Sequence, residues 1–258
     1  MEPARDHIIE LQKLVLGYGK RILFRADGAG FGRGEFTALI GRNGTGKSTL
    51  LRTVAGLSRP PEGQVLLDGR PVEQYHPRQR ASLISFVSTD EVRIPNLLAG
   101  DLVGLGRAPY TNWIGTLTPH DREIVARSLA LVGMMEFADK RIDRLSDGER
   151  QRVMIARALA QDTPVILLDE PTAFLDLPNR YLIGALLRDL AHNQNKTIVF
   201  SSHDLGIALD LCDMIAVIDG CDLRTGTPQQ IIDQGVVERI FEGTAVDFDP
   251  ATRSIRLK

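Results

Sequence analysis

The sequence predicts an α/β fold, a largely parallel sheet with an antiparallel portion near the N-terminus, interrupted by a helical insertion. Three observations predict it. Val165-Ile166-Leu167-Leu168, Thr197-Ile198-Val199-Phe200 and Met214-Ile215-Ala216-Val217-Ile218 are continuous, mostly apolar runs, the pattern of parallel strands covered on both faces. A helix-like stretch precedes each of the first two, so strand and helix alternate as in α/β folds. From about residue 92 to 160 helical patterning takes over, whereas the first ~35 residues alternate as strands do.

Taken in order, Ile9, Leu11, Leu14 and Leu16 lead to Gly17-Tyr18-Gly19, a turn by composition. The run Gly28-Ala29-Gly30-Phe31-Gly32-Arg33-Gly34 does not hold the G-x-G-x-x-G spacing and no helical pattern follows it, so it reads as a twisted strand turning at Arg33-Gly34-Glu35. Phe36-Thr37-Ala38-Leu39-Ile40 is a buried strand, followed by a glycine-rich loop and a helix from Lys47 to Leu57. Gln64 to Gly69 reads as a strand ending in a tight turn. Thr118-Pro119 is an N-cap with proline at the first helical position, and Ile124, Val125, Leu129 and Val132 supply an apolar face. With no repeat and no low-complexity linker, residues 1–258 form one domain, its core at about 1–90 and 160–258 and its helical subdomain at about 91–159.

At 258 residues, 43% apolar and 25% charged, the composition is that of a globular protein, and a net charge of −2 gives no bulk basic field to attract nucleic acid. Cys212 and Cys221 make no metal-ligand spacing and cannot staple a chain this long, which fits a reducing compartment. The start, Met1 to His7, lacks the apolar core of a signal peptide, and no window approaches the ~18 apolar residues of a membrane span. Work at a membrane would need a partner chain.

The strongest motif is Gly41-Arg42-Asn43-Gly44-Thr45-Gly46-Lys47-Ser48-Thr49, a full G-x-x-x-x-G-K-[ST] P-loop between a buried strand and a helix. Its glycines turn backbone N–H groups toward phosphate oxygens, and the helix N-terminus adds positive potential. Lys47 is expected to reach the β- and γ-phosphates of ATP, and Ser48 to hold Mg²⁺. Asp169 and Glu170 close the Val165–Leu168 strand. Alone such a pair is an ordinary loop start; beside a P-loop it reads as the Mg²⁺ ligand, Asp169, and the general base, Glu170. Leu145-Ser146-Asp147-Gly148-Glu149-Arg150-Gln151 is a capping box, with Ser146 at the N-cap and Glu149 at N3.

That heptad, lying between the P-loop and the Asp-Glu strand, resembles the L-S-G-G-Q signature of ATP-binding cassette (ABC) proteins, with Asp147 where glycine is usual. The resemblance spans about Ile8 to the 240s and implies a P-loop NTPase fold, a RecA-like core with an antiparallel β portion and an inserted helical subdomain. It implies that Tyr18 stacks on adenine and that Ser146, Gly148 and Glu149 grip the γ-phosphate held by a second copy; a carboxylate pointing inward would repel that phosphate, so Asp147 is expected to point away from it. Asp176, in Ala173-Phe174-Leu175-Asp176, resembles the acidic member of the loop crossing between copies, and His203 the switch histidine. Thr89 stands where the family carries a metal-sensing Gln, and its hydroxyl is a candidate Mg²⁺ contact. Gly106-Arg107-Ala108-Pro109-Tyr110 and Leu145 to Arg152 are similar to the importers of iron-siderophores, haem and cobalamin.

The resemblance therefore implies an ATPase working with Mg²⁺ and ATP as a two-cassette sandwich. It would dock peripherally on permease subunits at the cytoplasmic face of the cell membrane and be fed indirectly by an extracytoplasmic binding protein. A soluble cassette ATPase acting on ribosomes or DNA, a transporter of another sub-family, and a regulator that no longer hydrolyses are the alternatives. The first usually shows paired cassettes, coiled-coil arms or zinc-binding cysteines, and none is present.

Overall fold

The computed structural model describes residues 7–19, 21–88 and 94–258. Its first strands are antiparallel: β1 (His7–Tyr18) pairs with β2 (Arg21–Ala26) and β3 (Ala29–Gly32). The expected turn at Gly17–Gly19 is displaced, because β1 runs on through Tyr18. A register shift between Leu16 and Gly17 absorbs the irregularity, after which Gly17 pairs with Ile22 and Tyr18 with Arg21. β4 (Phe36–Ile40) leads through the P-loop into α1 (Lys47–Val54). That helix stops short of Leu57 in a Schellman-type closure, the Leu57 N–H reaching back to the Arg52 carbonyl at 2.9 Å.

β5 (Glu62–Leu67) returns beside β1, then come β6 (Arg70–Pro71), α2 (Pro77–Leu83) and β7 (Ile84–Val87). The insertion that follows is helical: α3 (Ala99–Gly104), α4 (Pro119–Leu131) and α5 (Asp147–Ala160). Thr118 caps α4 and Ser146 caps α5, each through a reciprocal capping box, so both helix starts lie where the sequence places them. Alternation then resumes with β8 (Val165–Leu168), α6 (Leu177–Gln194), β9 (Thr197–Ser202), α7 (Leu205–Leu211), β10 (Met214–Asp219) and β11 (Asp222–Gly226). The chain ends with α8 (Pro228–Asp233), α9 (Val236–Ile240) and the hairpin β12 (Val246–Asp249) and β13 (Ser254–Leu257).

The main sheet runs β6-β5-β1-β2-β11-β10-β4-β9-β8-β7, with β3 paired to β1. Its β10-β4-β9-β8-β7 half is parallel. Alternate residues of β8 bury into opposite layers: Ile166 and Leu168 pack with residues of α5, α6 and α7, while Val165 and Leu167 share a cluster with Leu50, Leu51 and Val54 of α1. This two-sided burial explains the unbroken apolar runs of the sequence. Phe36 and Phe200 stack across β4 and β9 with ring centroids 4.9 Å apart, bracing the two strands that lead into the P-loop and His203. No helix among the described residues is long and apolar enough to cross a membrane.

Candidate active site

Strands β4, β9 and β8 are parallel neighbours, so their C-terminal ends open on one edge of the sheet. Ligands of open α/β sheets bind at that edge. The chain segments leaving these ends are the P-loop, His203 and the pair Asp169–Glu170.

In the P-loop, Gly44 and Gly46 take positive φ (76° and 111°), a backbone that turns the loop back on itself ahead of α1. Lys47 is buried, and its ammonium donates to the carbonyls of Gly41 (2.9 Å) and Arg42 (3.3 Å). Burial pulls its pKa below the ordinary lysine value, while Glu170 and then Asp169 push it back up. A polyphosphate arriving here would supply the counter-charge that burial withholds. Thr45 Oγ1 also donates to the Arg42 carbonyl, at 2.9 Å. The Arg42 side chain leaves the loop: its Nε donates to the Ile240 carbonyl at 2.9 Å and its Nη2 to that of Glu242. The backbone of Arg42 thus shapes the loop while its guanidinium ties that loop to the end of α9. Gly41, Asn43, Ser48 and Thr49 complete it, Ser48 being exposed in the first turn of α1.

Asp169 is buried at the end of β8, its N–H bonded to the Val87 carbonyl at 2.8 Å. Glu170 takes a left-handed backbone (φ 47°), a conformation that costs a non-glycine residue about 1–3 kcal/mol. Its carboxylate Oε1 lies 2.8 Å from Nε2 of His203. Ser201 of β9, fully buried, donates from Oγ to Asp169 Oδ1 at 2.6 Å and accepts the Glu170 N–H at 2.9 Å. No motif singles out Ser201; the only signal is a hydroxyl that directly follows the apolar Ile198-Val199-Phe200 run, two positions before His203. The oxygen donors of Ser48 and Asp169 are hard ligands that fit Mg²⁺, which is commonly held by one or two carboxylates together with substrate phosphates. Among the described residues no group of three or more His, Cys, Asp or Glu gathers as a separate metal site.

Around α5, the Ser146 N–H donates to Glu149 Oε2 at 2.7 Å and Glu149 lies 3.6 Å from Lys140 Nζ, so the Glu149 carboxylate is committed within its own chain. The bond from the Ser146 backbone holds its pKa below the ordinary range. Asp147 pairs with Arg150 at 3.0 Å. Gly148 faces the Phe174 carbonyl, linking the start of α5 to the loop after Glu170. Asp176 caps α6, accepting from the Asn179 N–H at 3.1 Å and from Asn179 Nδ2 at 2.6 Å. Tyr18 ends β1, but its side chain lies outside the described residues, as does Thr89 altogether.

The Gly106–Tyr110 motif has a structural role. A Cβ on Gly106 would stand 2.4 Å from the Arg157 carbonyl, so the chain there can approach α5 this closely only without a side chain. Arg107, buried, donates to Asp121 Oδ1 at 2.8 Å and to the Ala160 carbonyl at 2.9 Å, and lies over the Tyr110 ring at 4.1 Å.

The family model for ABC transporters matches residues 28–173. The petrobactin import ATP-binding protein of Bacillus anthracis is 37% identical over 234 residues, covering 90% of this chain and 86% of that protein. An inward-facing ABC transporter assigned to the metal-chelate type superposes with a TM-score of 0.75 at 29% identity, covering 88% of this chain and 86% of that one. A dimeric bacterial ABC transporter cassette does so with a TM-score of 0.75 at 30% identity, covering 85% and 98%. With the P-loop, acidic pair and histidine on adjoining strand ends and the capped signature helix in place, the chain belongs to the ABC transporter family, as an ATP-binding, ATP-hydrolysing subunit.

Proposed function

We propose that this chain energises import of an iron-siderophore, haem or cobalamin-type compound, as one of two cassettes docked at the cytoplasmic face of the membrane on separate permease subunits. The observation that carries the hydrolytic reading is the meeting of Lys47, Asp169, Glu170 and His203 at one sheet edge, with Glu170 hydrogen-bonded to His203. The substrate class rests on the likeness to a petrobactin import subunit and on the Gly106–Tyr110 motif.

In this reading the P-loop N–H groups and Lys47 bind the β/γ-phosphates, and Glu170 orients a water for in-line attack and takes its proton. His203 holds the Glu170 carboxylate in line and can turn its imidazole to the γ-phosphate. Mg²⁺ held by Ser48 and Asp169, with Thr89 a further candidate contact, would offset the charge of the phosphate oxygens. Tyr18 stacks on adenine, while Ser146 and Gly148 at the start of α5 and Asp176 face the nucleotide of the second copy. Closing the pair on ATP and reopening it after hydrolysis would move the permease between two access states.

The test is uptake in a strain lacking this chain, with radiolabelled ferric siderophore, haem and cobalamin offered separately. Loss of one class, restored by the wild-type gene and not by Lys47→Ala, is expected. Normal uptake of all three overturns the substrate class, and recovery of ribosomes or DNA instead of a membrane protein in mild detergent overturns the transporter assignment.

A further inference from the structure

We propose that Ser201 is a positioning residue that sets the two acidic groups of the site together. It fixes the carboxylate rotation of Asp169 and the backbone conformation of Glu170 through one hydroxyl. The inference rests on the reading of Asp169 as cation ligand and Glu170 as base. Its geometry does not depend on that reading.

Ser201 sits on β9 beside β8, one residue beyond the Leu168–Phe200 pair, so the register brings its side chain to the point where β8 gives way to Asp169. A serine hydroxyl has one proton to give and two lone pairs. The Glu170 N–H, 2.9 Å away, is only a donor, so Oγ must accept there. Its proton is thereby free for Asp169 Oδ1 at 2.6 Å, the short contact of a hydroxyl donating to a carboxylate. The direction of both bonds follows from the partners.

Each bond secures something the site needs. Asp169 is buried and its side-chain torsion is otherwise a soft, two-fold rotation; the bond selects one orientation. Glu170 holds an unfavourable left-handed backbone, and anchoring its N–H makes that conformation persist. Both anchors share one atom, so a shift of Ser201 moves cation ligand and base in concert. Ser201 is fully buried, and its hydroxyl bonds only to these two neighbours among the described residues, so it acts through them.

The test compares full-length wild type with Ser201→Ala, Ser201→Thr and Ser201→Val, the last two equal in shape and differing in the hydroxyl. Steady-state ATPase, fluorescent-ATP binding without divalent cation, and Mn²⁺ retention in the presence of a non-hydrolysable ATP analogue (by electron paramagnetic resonance) are measured alongside melting temperature. For Ser201→Ala we expect kcat to fall roughly ten- to a hundredfold with KM within about threefold. Mn²⁺ affinity should weaken about five- to tenfold, and cation-free nucleotide binding should be unchanged. Ser201→Thr should recover both kcat and Mn²⁺ retention, and Ser201→Val neither. Wild-type kcat and Mn²⁺ affinity in folded Ser201→Ala, or equal recovery by Val and Thr, overturn the proposal. Asp169→Asn and Glu170→Gln are run in parallel. If those two still hydrolyse ATP, the reading of the acidic pair fails and this proposal fails with it. If they are dead while Ser201→Ala is normal, only the role of Ser201 is lost.

Discussion

Replacing Asp121 with alanine should destabilise the helical insertion strongly while leaving the nucleotide site able to bind. Arg107 and Asp121 are both buried and meet at 2.8 Å. Breaking a buried pair by removing one partner costs about 3–5 kcal/mol, because a charge is left without its counter-ion. Here Arg107 keeps the Ala160 carbonyl at 2.9 Å and the face of Tyr110, which argues for the lower end. Against that, Asp121 also accepts from Thr118 N–H at 3.0 Å and Thr118 Oγ1 at 2.6 Å, and losing that cap adds about 1 kcal/mol. The sum, about 4 kcal/mol, corresponds to a fall in melting temperature of roughly 8–16 °C for a chain of this size. The Thr118 and Arg107 bonds hold the Asp121 pKa down from its ordinary 3.8 to about 2. A depressed carboxylate pKa contributes stability that is complete above 3.8 and is lost as pH falls through about 2. The gap between wild type and Asp121→Ala should therefore hold from pH 7 to 4 and narrow only below that. Differential scanning calorimetry across pH measures this, with fluorescent-ATP titration at pH 7 as the control. A melting shift under about 3 °C would refute the energetic reasoning, and a gap that closes by pH 5 would refute the assignment to Asp121.

Four further outcomes are expected. Lys47→Ala should fold normally yet lose most Mg·ATP binding or turnover, read by phosphate release; an unchanged rate would remove Lys47 from the phosphate site. Glu170→Gln should bind ATP, fail to hydrolyse it, and elute as a dimer with Mg·ATP but not ADP in size-exclusion chromatography, and wild-type turnover would point instead to Asp176 or His203. Arg42→Ala, which releases the P-loop from the carbonyls of Ile240 and Glu242, should cost about 1–2 kcal/mol in urea unfolding and raise KM for ATP, whereas Arg42→Lys should regain only part. Gly106→Ala should lower the melting temperature without changing cation-free ATP affinity, since its Cβ would press on the Arg157 carbonyl and lies in the insertion. An unaltered melting temperature would show that α5 yields there.

What the sequence discloses is whatever is encoded over short range. The P-loop spacing carries its own mechanism, the boxes at Thr118 and Ser146 are complete within four residues, and unbroken apolar runs report two-sided burial directly. What escapes it depends on which strands become neighbours. Ser201 gains its role because β9 lies between β4 and β8, and Arg42 because α9 returns to the P-loop 198 residues later. Gly17-Tyr18-Gly19 is read only in part for the same reason: the turn holds at Gly19, while pairing with β2 keeps Gly17 and Tyr18 in the strand. Arg107 is identifiable from its motif as distinctive, but only the fold reveals that its partners are Asp121 and Ala160.

The acidic first turn of α5 bears hardest on the proposed two-cassette arrangement. A helix N-terminus favours an anion through its dipole and free N–H groups, yet this one carries Asp147 and Glu149. An unpaired carboxylate about 8 Å from a phosphate charge would cost about 2 kcal/mol at an effective dielectric of 20, enough to cancel the attraction of the helix end. The structure commits both groups elsewhere. Glu149 is folded back on the Ser146 N–H and lies near Lys140, and Asp147 engages Arg150 one turn along the same helix. Arg150 also reaches the Leu145 carbonyl at 3.1 Å, which holds its guanidinium against the helix start. Each acidic charge thus has a cation within its own chain, and the field presented outward is closer to that of two dipoles, which decays faster with distance than that of two charges. The turn keeps the stabilising effect of carboxylates at a helix N-terminus, and Ser146 remains exposed beside it. Removing the compensation should therefore expose the repulsion: Arg150→Ala is expected to weaken ATP-driven dimerisation of the Glu170→Gln background several-fold, more at low salt than at high, because screening shortens the reach of the freed Asp147.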